Sequence, residues 1–259
     1  RLAPPYEGPP VLQDSIAAAQ AEATRGAIDP LEGLSRARVW VFTGGPETDR
    51  VHDGLMPHDV VQQVAGFYQF FSKEPNKANV KFVDSPDAAH AMPVKAEATA
   101  RSSPCDYFGE PYINNCNYAA AEELLQFIYP GRPETSNSRA SEDRLQSFTQ
   151  PIDAADPNLS MNEIGHIYVP HACLQGQSCA LHVALHGCGQ DEQSLDEASL
   201  PGGAGKFRDL PAQERPYFYR AAGYNDWAER HGVVVLYPQV KARAGTLSQQ
   251  GCWDWFAYS

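Results

Sequence analysis

Apolar runs of strand length alternate with stretches of helical period along most of this chain, and that alternation restricts its fold more than any other feature. "RVWVFTG" (38–44) reads as a buried strand ending in a glycine turn. In "HDVVQQVAGFYQFFSK" (58–73), Val60, Val61, Val64, Phe67, Tyr68 and Phe71 recur at helical spacing, which predicts an amphipathic helix. "NVKFVD" (79–84) is the next strand, with "AAHAMP" in the loop after it. "YAAAEELLQFIYP" (118–130) is a helix closed by proline. "GHIYVP", "CALHVALHG" and "VVVLYPQ" follow as strands, with "YFYRAAGYNDWAERHG" (217–232) a helix between the last two. Residues 131–160 are polar and read as a linker or surface excursion, and 199–216 as an inserted loop. Near the start, "DSIAAAQAEAT" is a helical candidate. Such alternation predicts an α/β protein with a mainly parallel sheet, whose chemistry sits in the loops after the strands' C-terminal ends.

The charge balance narrows the partners. With 32 acidic and 20 basic residues the formal charge is −12, which argues against nucleic acid and anionic membranes, since both need clustered cations. Apolar runs such as "GVVVLYP" are too short to span a bilayer. The chain starts at Arg1 without a methionine, so upstream processing or truncation is expected. The six cysteines form two short brackets, Cys105 with Cys116 and Cys173 with Cys179, plus a distant pair, Cys188 and Cys252. Proximity pairs the brackets, and elimination pairs the rest. This reading places the protein in an extracellular or periplasmic, oxidising compartment. Six reduced core thiols are the alternative. No C-x2-C pair suggests a metal, and no cofactor is expected.

Three strand-end loops carry suitable chemistry. "TGGPETDRVHDG" holds Glu47 and Asp49, "DAAHAMP" holds His90, and "HGCGQ" holds Cys188 between Gly187 and Gly189. An acid after one strand and a histidine after the next follow the acid-then-histidine order of an α/β-hydrolase. There the acid fixes the imidazole tautomer and the imidazole takes a proton from a serine. A lone histidine in a loop is more often simply solvated. His90, however, sits among Ala88, Ala89 and Ala91, which leave an imidazole reachable. A strand ending in His-Gly-x suits an oxyanion loop, with glycines for a tight turn and the Cys188 N–H as donor. A plain turn is the bland alternative. This loop follows the histidine, whereas it ordinarily precedes the nucleophile. That order suggests a circular permutation and places the serine upstream of the acid loop. No G-x-S-x-G occurs in the sequence.

The blocks "VWVFTG", "ANVKFVDSPDAAHAMP", "SPCDYFGEPYINNCNYAAAEELLQFIY", "IYVPHACLQGQSCALHVALHGCGQ", "AGYNDWAERHGVVVLYPQ" and "GCWDWFAYS" together resemble the catalytic domain of circularly permuted extracellular poly(3-hydroxybutyrate) depolymerases. The resemblance runs from about Arg38 to the C-terminus. It implies a single catalytic domain over 1–259 with a three-layer α/β-hydrolase fold, and a Ser-His-Asp triad. His90 matches the catalytic histidine, and Cys188 matches the oxyanion donor. Either Asp49 or Glu47 matches the acid, and Asp49 is preferred for residue type. A Trp of "CWDW" lies beside the bound ester, which points to Trp255. Trp253 shares that face of an extended segment, although core packing is its bland reading. The family's cysteine pairs are the three above.

The family's nucleophile strand and elbow, and its helix after "GCWDW", are expected outside these residues. The chain then reads as a fragment or as one product of a cleavage, inactive alone, with the serine on a second polypeptide segment. The expected function is a secreted serine esterase acting on a polyester or on short soluble or phenolic esters. The alternative is a non-catalytic polyester- or carbohydrate-binding module that keeps the fold.

Overall fold

The computed structural model describes residues 11–45, 56–95, 102–150, 160–196, 207, 209–242 and 250–253. Glu47, Asp49, Trp255 and half of the 199–216 loop lie outside them. The chain divides into two compact units, residues 1–90 and 91–259.

In the first unit, helix α1 (Leu12–Thr24) precedes strand β1 (Val39–Phe42), helix α2 (His58–Phe71) and strand β2 (Val80–Val83). β1 and β2 pair in parallel with Val39 opposite Val80, the arrangement that a crossover helix such as α2 permits. Val61 and Ala65 of α2, spaced i and i+4, bury against Val41, with Val39 and Phe82 packed alongside. Val64, read as inward-facing, is instead 43% exposed. A two-stranded sheet accepts only a narrow stripe of the helix, so the flank stays outside. Buried Asn79 fixes the entrance to both strands. Its side chain bonds Ser72 Oγ and donates to the Ala37 carbonyl at 2.7 Å.

The second unit begins with a small parallel sheet in the order β3 (Met92–Val94), β5 (Ile113–Asn115), β4 (Ser103–Pro104). Met92 therefore belongs to a strand rather than to the loop expected there. Helix α3 (Ala120–Ile128) follows. A four-stranded sheet then runs β6 (Leu145–Thr149), β7 (Ile164–Tyr168), β9 (Val233–Tyr237), β8 (Ala180–Val183). β7 pairs antiparallel with both β6 and β9, and β8 and β9 are parallel. With the three parallel pairings of the smaller sheets, four of the six pairings among the described residues are parallel, as the alternation predicts. Between them lie the short helices α4 (His171–Leu174), α5 (Glu192–Asp196) and α6 (Phe218–Ala221), and helix α7 (Tyr224–His231).

The segment read as one helix over 217–232 is thus two. Gly223 between them takes φ 90°, left-handed backbone that glycine supplies and that ends a helical run. Tyr217, Phe218, Trp227 and Ala228 bury against Val233, Val235 and Tyr237 on one face of the sheet. On the opposite face Leu181, Val183 and Leu185 are exposed, and the register sets Leu181 beside Val234 and Val183 beside Leu236. All three cysteine pairs are bonded: Cys105–Cys116, Cys173–Cys179 and Cys188–Cys252.

Candidate active site

β8 delivers the loop 186–190 from its C-terminal end, where Ala184 still pairs with Leu236 through an N–H···O bond of 2.9 Å. His186 is 2% exposed. Its Nε2 accepts the Val240 N–H at 3.3 Å, so its proton sits on Nδ1 and is donated to the Gly187 carbonyl at 2.8 Å. Burial lowers this imidazole's pKa from the ordinary 6.5 to about 4, only partly offset by the Gly187 bond, and His186 is neutral. It is a brace for the loop, and a proton on Nε2 would face the Val240 N–H.

That arrangement has a consequence for stability. The unfolded chain binds the proton below pH 6.5, while the folded chain resists it until about 4. Stability is therefore complete above 6.5 and falls as pH drops through this window. At about 1.4 kcal/mol per pH unit the loss reaches about 3 kcal/mol. Urea midpoints measured from pH 7 to pH 4 should show this decline. The His186→Asn variant, less stable at neutral pH, should show a flatter one.

The rest of the loop is tied down on several sides. Gly187 N–H donates to Gln190 Oε1 at 2.7 Å, Gln190 N–H to the Gly187 carbonyl at 3.2 Å, and Gly189 N–H to the Gln250 carbonyl at 2.6 Å. Among the described residues, the Cys188 N–H meets no acceptor, and Cys188 itself is exposed. The Cys188–Cys252 disulfide holds the loop to residues 250–253, as does Trp253, whose Nε1–H donates to the His186 carbonyl at 2.9 Å. Trp253 is half-buried with its ring tilted over His186, so its packing role is visible. Gly189 takes φ 71°, and a Cβ there would lie 2.8 Å from the Tyr112 ring.

Next to the loop, Asp191 is fully buried and accepts from the Ser194 N–H at 3.0 Å and from the Ser194 hydroxyl. It caps the start of α5. Burial raises its pKa despite these bonds, and Glu110 is raised by burial and then by the charge of Asp191.

His90 belongs to the first unit. It is exposed in the loop after β2, and Ala88 and Ala89 beside it are each 3% exposed. The acid loop leaves β1 through Thr43, Gly44 and Gly45, all buried. Thr43 N–H bonds the Val83 carbonyl at 3.0 Å. A Cβ on Gly44 would fall 2.0 Å from the Ala88 carbonyl oxygen. Gly44, just after the end of β1 and ahead of Glu47 and Asp49 in sequence, is therefore laid directly against Ala88 of the loop that carries His90. Sequence reasoning missed Gly44 and Gln190. The Gly-Gly pair after a strand was the one signal for the first, and nothing local marks the second. Among the described residues no three His, Cys, Asp or Glu side chains could hold a metal ion, and no helix is long and apolar enough to cross a membrane.

No family model matches the chain. Among curated proteins, a poly(3-hydroxybutyrate) depolymerase of Delftia acidovorans is 29% identical over 238 residues, covering 91% of this chain and 40% of the relative. A polyhydroxybutyrate depolymerase of Talaromyces funiculosus is 30% identical over 241 residues, covering 89% of this chain and 62% of the relative. Among solved structures, a serine-to-alanine variant of a PHB depolymerase complexed with an R3HB trimer superposes with a TM-score of 0.75 at 27% identity, covering 98% of this chain and 72% of that one. The PHB depolymerase of Penicillium funiculosum gives 0.72 at 27% identity, covering 96% and 71%.

The chain has an α/β-hydrolase fold. It is, more particularly, a homologue of the poly(3-hydroxybutyrate) depolymerases, and it spans less than two thirds of the length of the curated relatives it matches.

Proposed function

We propose that this chain is part of a serine esterase that cleaves poly(3-hydroxybutyrate) or a closely related polyester. Its relatives carry that name, and the solved neighbour with an R3HB trimer was made by removing a serine hydroxyl. The observation on this chain that carries the reading is the Cys188 N–H, which meets no acceptor among the described residues while the N–H groups of Gly187, Gly189 and Gln190 around it are engaged. A donor held rigidly in this way suits a developing negative oxygen, because it needs no reorganisation when the charge appears.

In this reading His90 is the general base, held in its tautomer by Asp49, with Glu47 the other candidate for that role. The serine, with the elbow that bears it, lies outside the 259 residues, consistent with a circularly permuted order. Its hydroxyl loses a proton to His90 as its oxygen attacks the ester carbonyl. The Cys188 N–H holds the oxyanion, and His90 returns the proton to the departing alkoxide. Water then releases the acyl group by the same path. Trp255, with Trp253 beside it, is the candidate contact for the bound ester. The three disulfides support an oxidising compartment outside the cytoplasm.

The intact protein should clear a suspension of poly(3-hydroxybutyrate), release soluble 3-hydroxy acids, and take up one equivalent of an organophosphonate on serine with loss of activity. Adsorption to the polymer without any release of acid would replace this reading with that of a binding module. Turnover of soluble or phenolic esters with the polymer untouched would reassign the substrate.

A further inference from the structure

We propose that Gln190 is a positioning residue of the candidate oxyanion donor: its side-chain amide holds the Gly187 N–H and its backbone N–H the Gly187 carbonyl, so that it fixes Gly187, the hinge of the peptide plane from which the Cys188 N–H projects. This rests on the esterase reading above and extends it. The Gly187 carbonyl and the Cys188 N–H belong to one planar trans peptide and so point in opposite directions. Whatever holds the Gly187 carbonyl therefore aims the Cys188 N–H. That carbonyl accepts from the Gln190 backbone N–H at 3.2 Å and from His186 Nδ1–H at 2.8 Å. The Gly187 N–H, one peptide earlier, is held by Gln190 Oε1 at 2.7 Å. Gln190 thus grips both sides of Gly187, the residue whose freedom would otherwise let the plane flip.

Gln190 is itself anchored from outside the loop. Its Nε2 donates to the Tyr112 carbonyl at 2.8 Å, and that carbonyl also accepts the Met92 N–H at 2.8 Å. Gln190 is only 7% exposed, so water is a poor substitute for either partner. The side chain must accept at one end and donate at the other, which an amide does and a carboxylate does not.

The test uses Gln190→Leu and Gln190→Glu in the intact protein, assayed on a soluble ester with KM and kcat separated. Gln190→Leu should lose roughly 10- to 100-fold in kcat with KM little changed, since a loosened donor is felt at the charged transition state. Gln190→Glu keeps the acceptor for Gly187 but, when ionised, sets a carboxylate against the Tyr112 carbonyl. Its protonated form can donate again, so its kcat relative to wild type should rise as pH falls. His186, Asp191 and Glu110 surround the loop in both proteins, and the ratio cancels their titration. A merely structural role would lower the melting temperature and leave a ratio that does not vary with pH, which would overturn the proposal. So would variants with kcat within twofold of an active wild type. A wild type without turnover would instead remove the esterase reading, and the proposal with it. If Gln190→Leu fails to fold, the Gln190→Glu profile decides alone.

Discussion

Replacing His90 by alanine should reduce ester hydrolysis by roughly four to six orders of magnitude. An unassisted serine hydroxyl is a poor nucleophile at neutral pH. The base lets attack proceed without a free alkoxide, and the same group later protonates the leaving oxygen. Removing it costs both steps. The residual rate would come from the oxyanion donor and from substrate binding, neither of which needs the imidazole. His90 is exposed, and its neighbours Ala88 and Ala89 are the buried residues of the loop. Truncating the ring therefore opens no cavity, and the variant should fold as the wild type does. Initial rates on a soluble ester, set beside circular dichroism and a melting curve, separate the two effects. Undiminished hydrolysis by a folded His90→Ala protein would remove His90 from the mechanism, and a general loss of folding would leave the chemistry to be tested with His90→Gln.

The elements that could be read from the sequence are those whose own residues carry the period. α2 shows its apolar repeat, and β1, β2 and β9 are short apolar runs that end at turn residues. β6 could not be read in this way. Leu145 to Thr149 offers only two apolar side chains among polar ones, and what makes it a strand is antiparallel pairing with β7, a tertiary fact. Val64 was misplaced because period gives a face but not its width. The "HGCGQ" loop stood out because an apolar run breaks into glycines, and the two short cysteine brackets because closure over few residues needs little else. Gln190 did not stand out, since its meaning depends on a carbonyl 78 residues away. The same limit hid the contact of Gly44 with Ala88: a glycine's sequence neighbours do not reveal which backbone crosses it.

That crossing supplies the second large effect. Gly44→Ala should destabilise the protein by about 3 kcal/mol and lower activity as well, whereas Gly33→Ala in the same unit should change stability by less than about 0.5 kcal/mol. A Cβ on Gly44 would sit 2.0 Å from the Ala88 carbonyl oxygen and 3.1 Å from its carbonyl carbon, both backbone atoms that no rotamer change can move aside. Nor can the loops simply part, because the Thr43 N–H to Val83 carbonyl bond closes β1 on β2 immediately before the contact. The added methyl must therefore break that bond, or push Ala88 and Ala89 from their buried sites and shift His90, two residues beyond Ala88. At Gly33 a Cβ meets nothing within 4 Å, so the same substitution there reports only the change in backbone propensity. Urea unfolding of the two variants beside wild type measures the difference directly. If the two substitutions prove equally mild, Gly44 and the histidine loop are not in the close contact described for them, and His90 would need another means of being held.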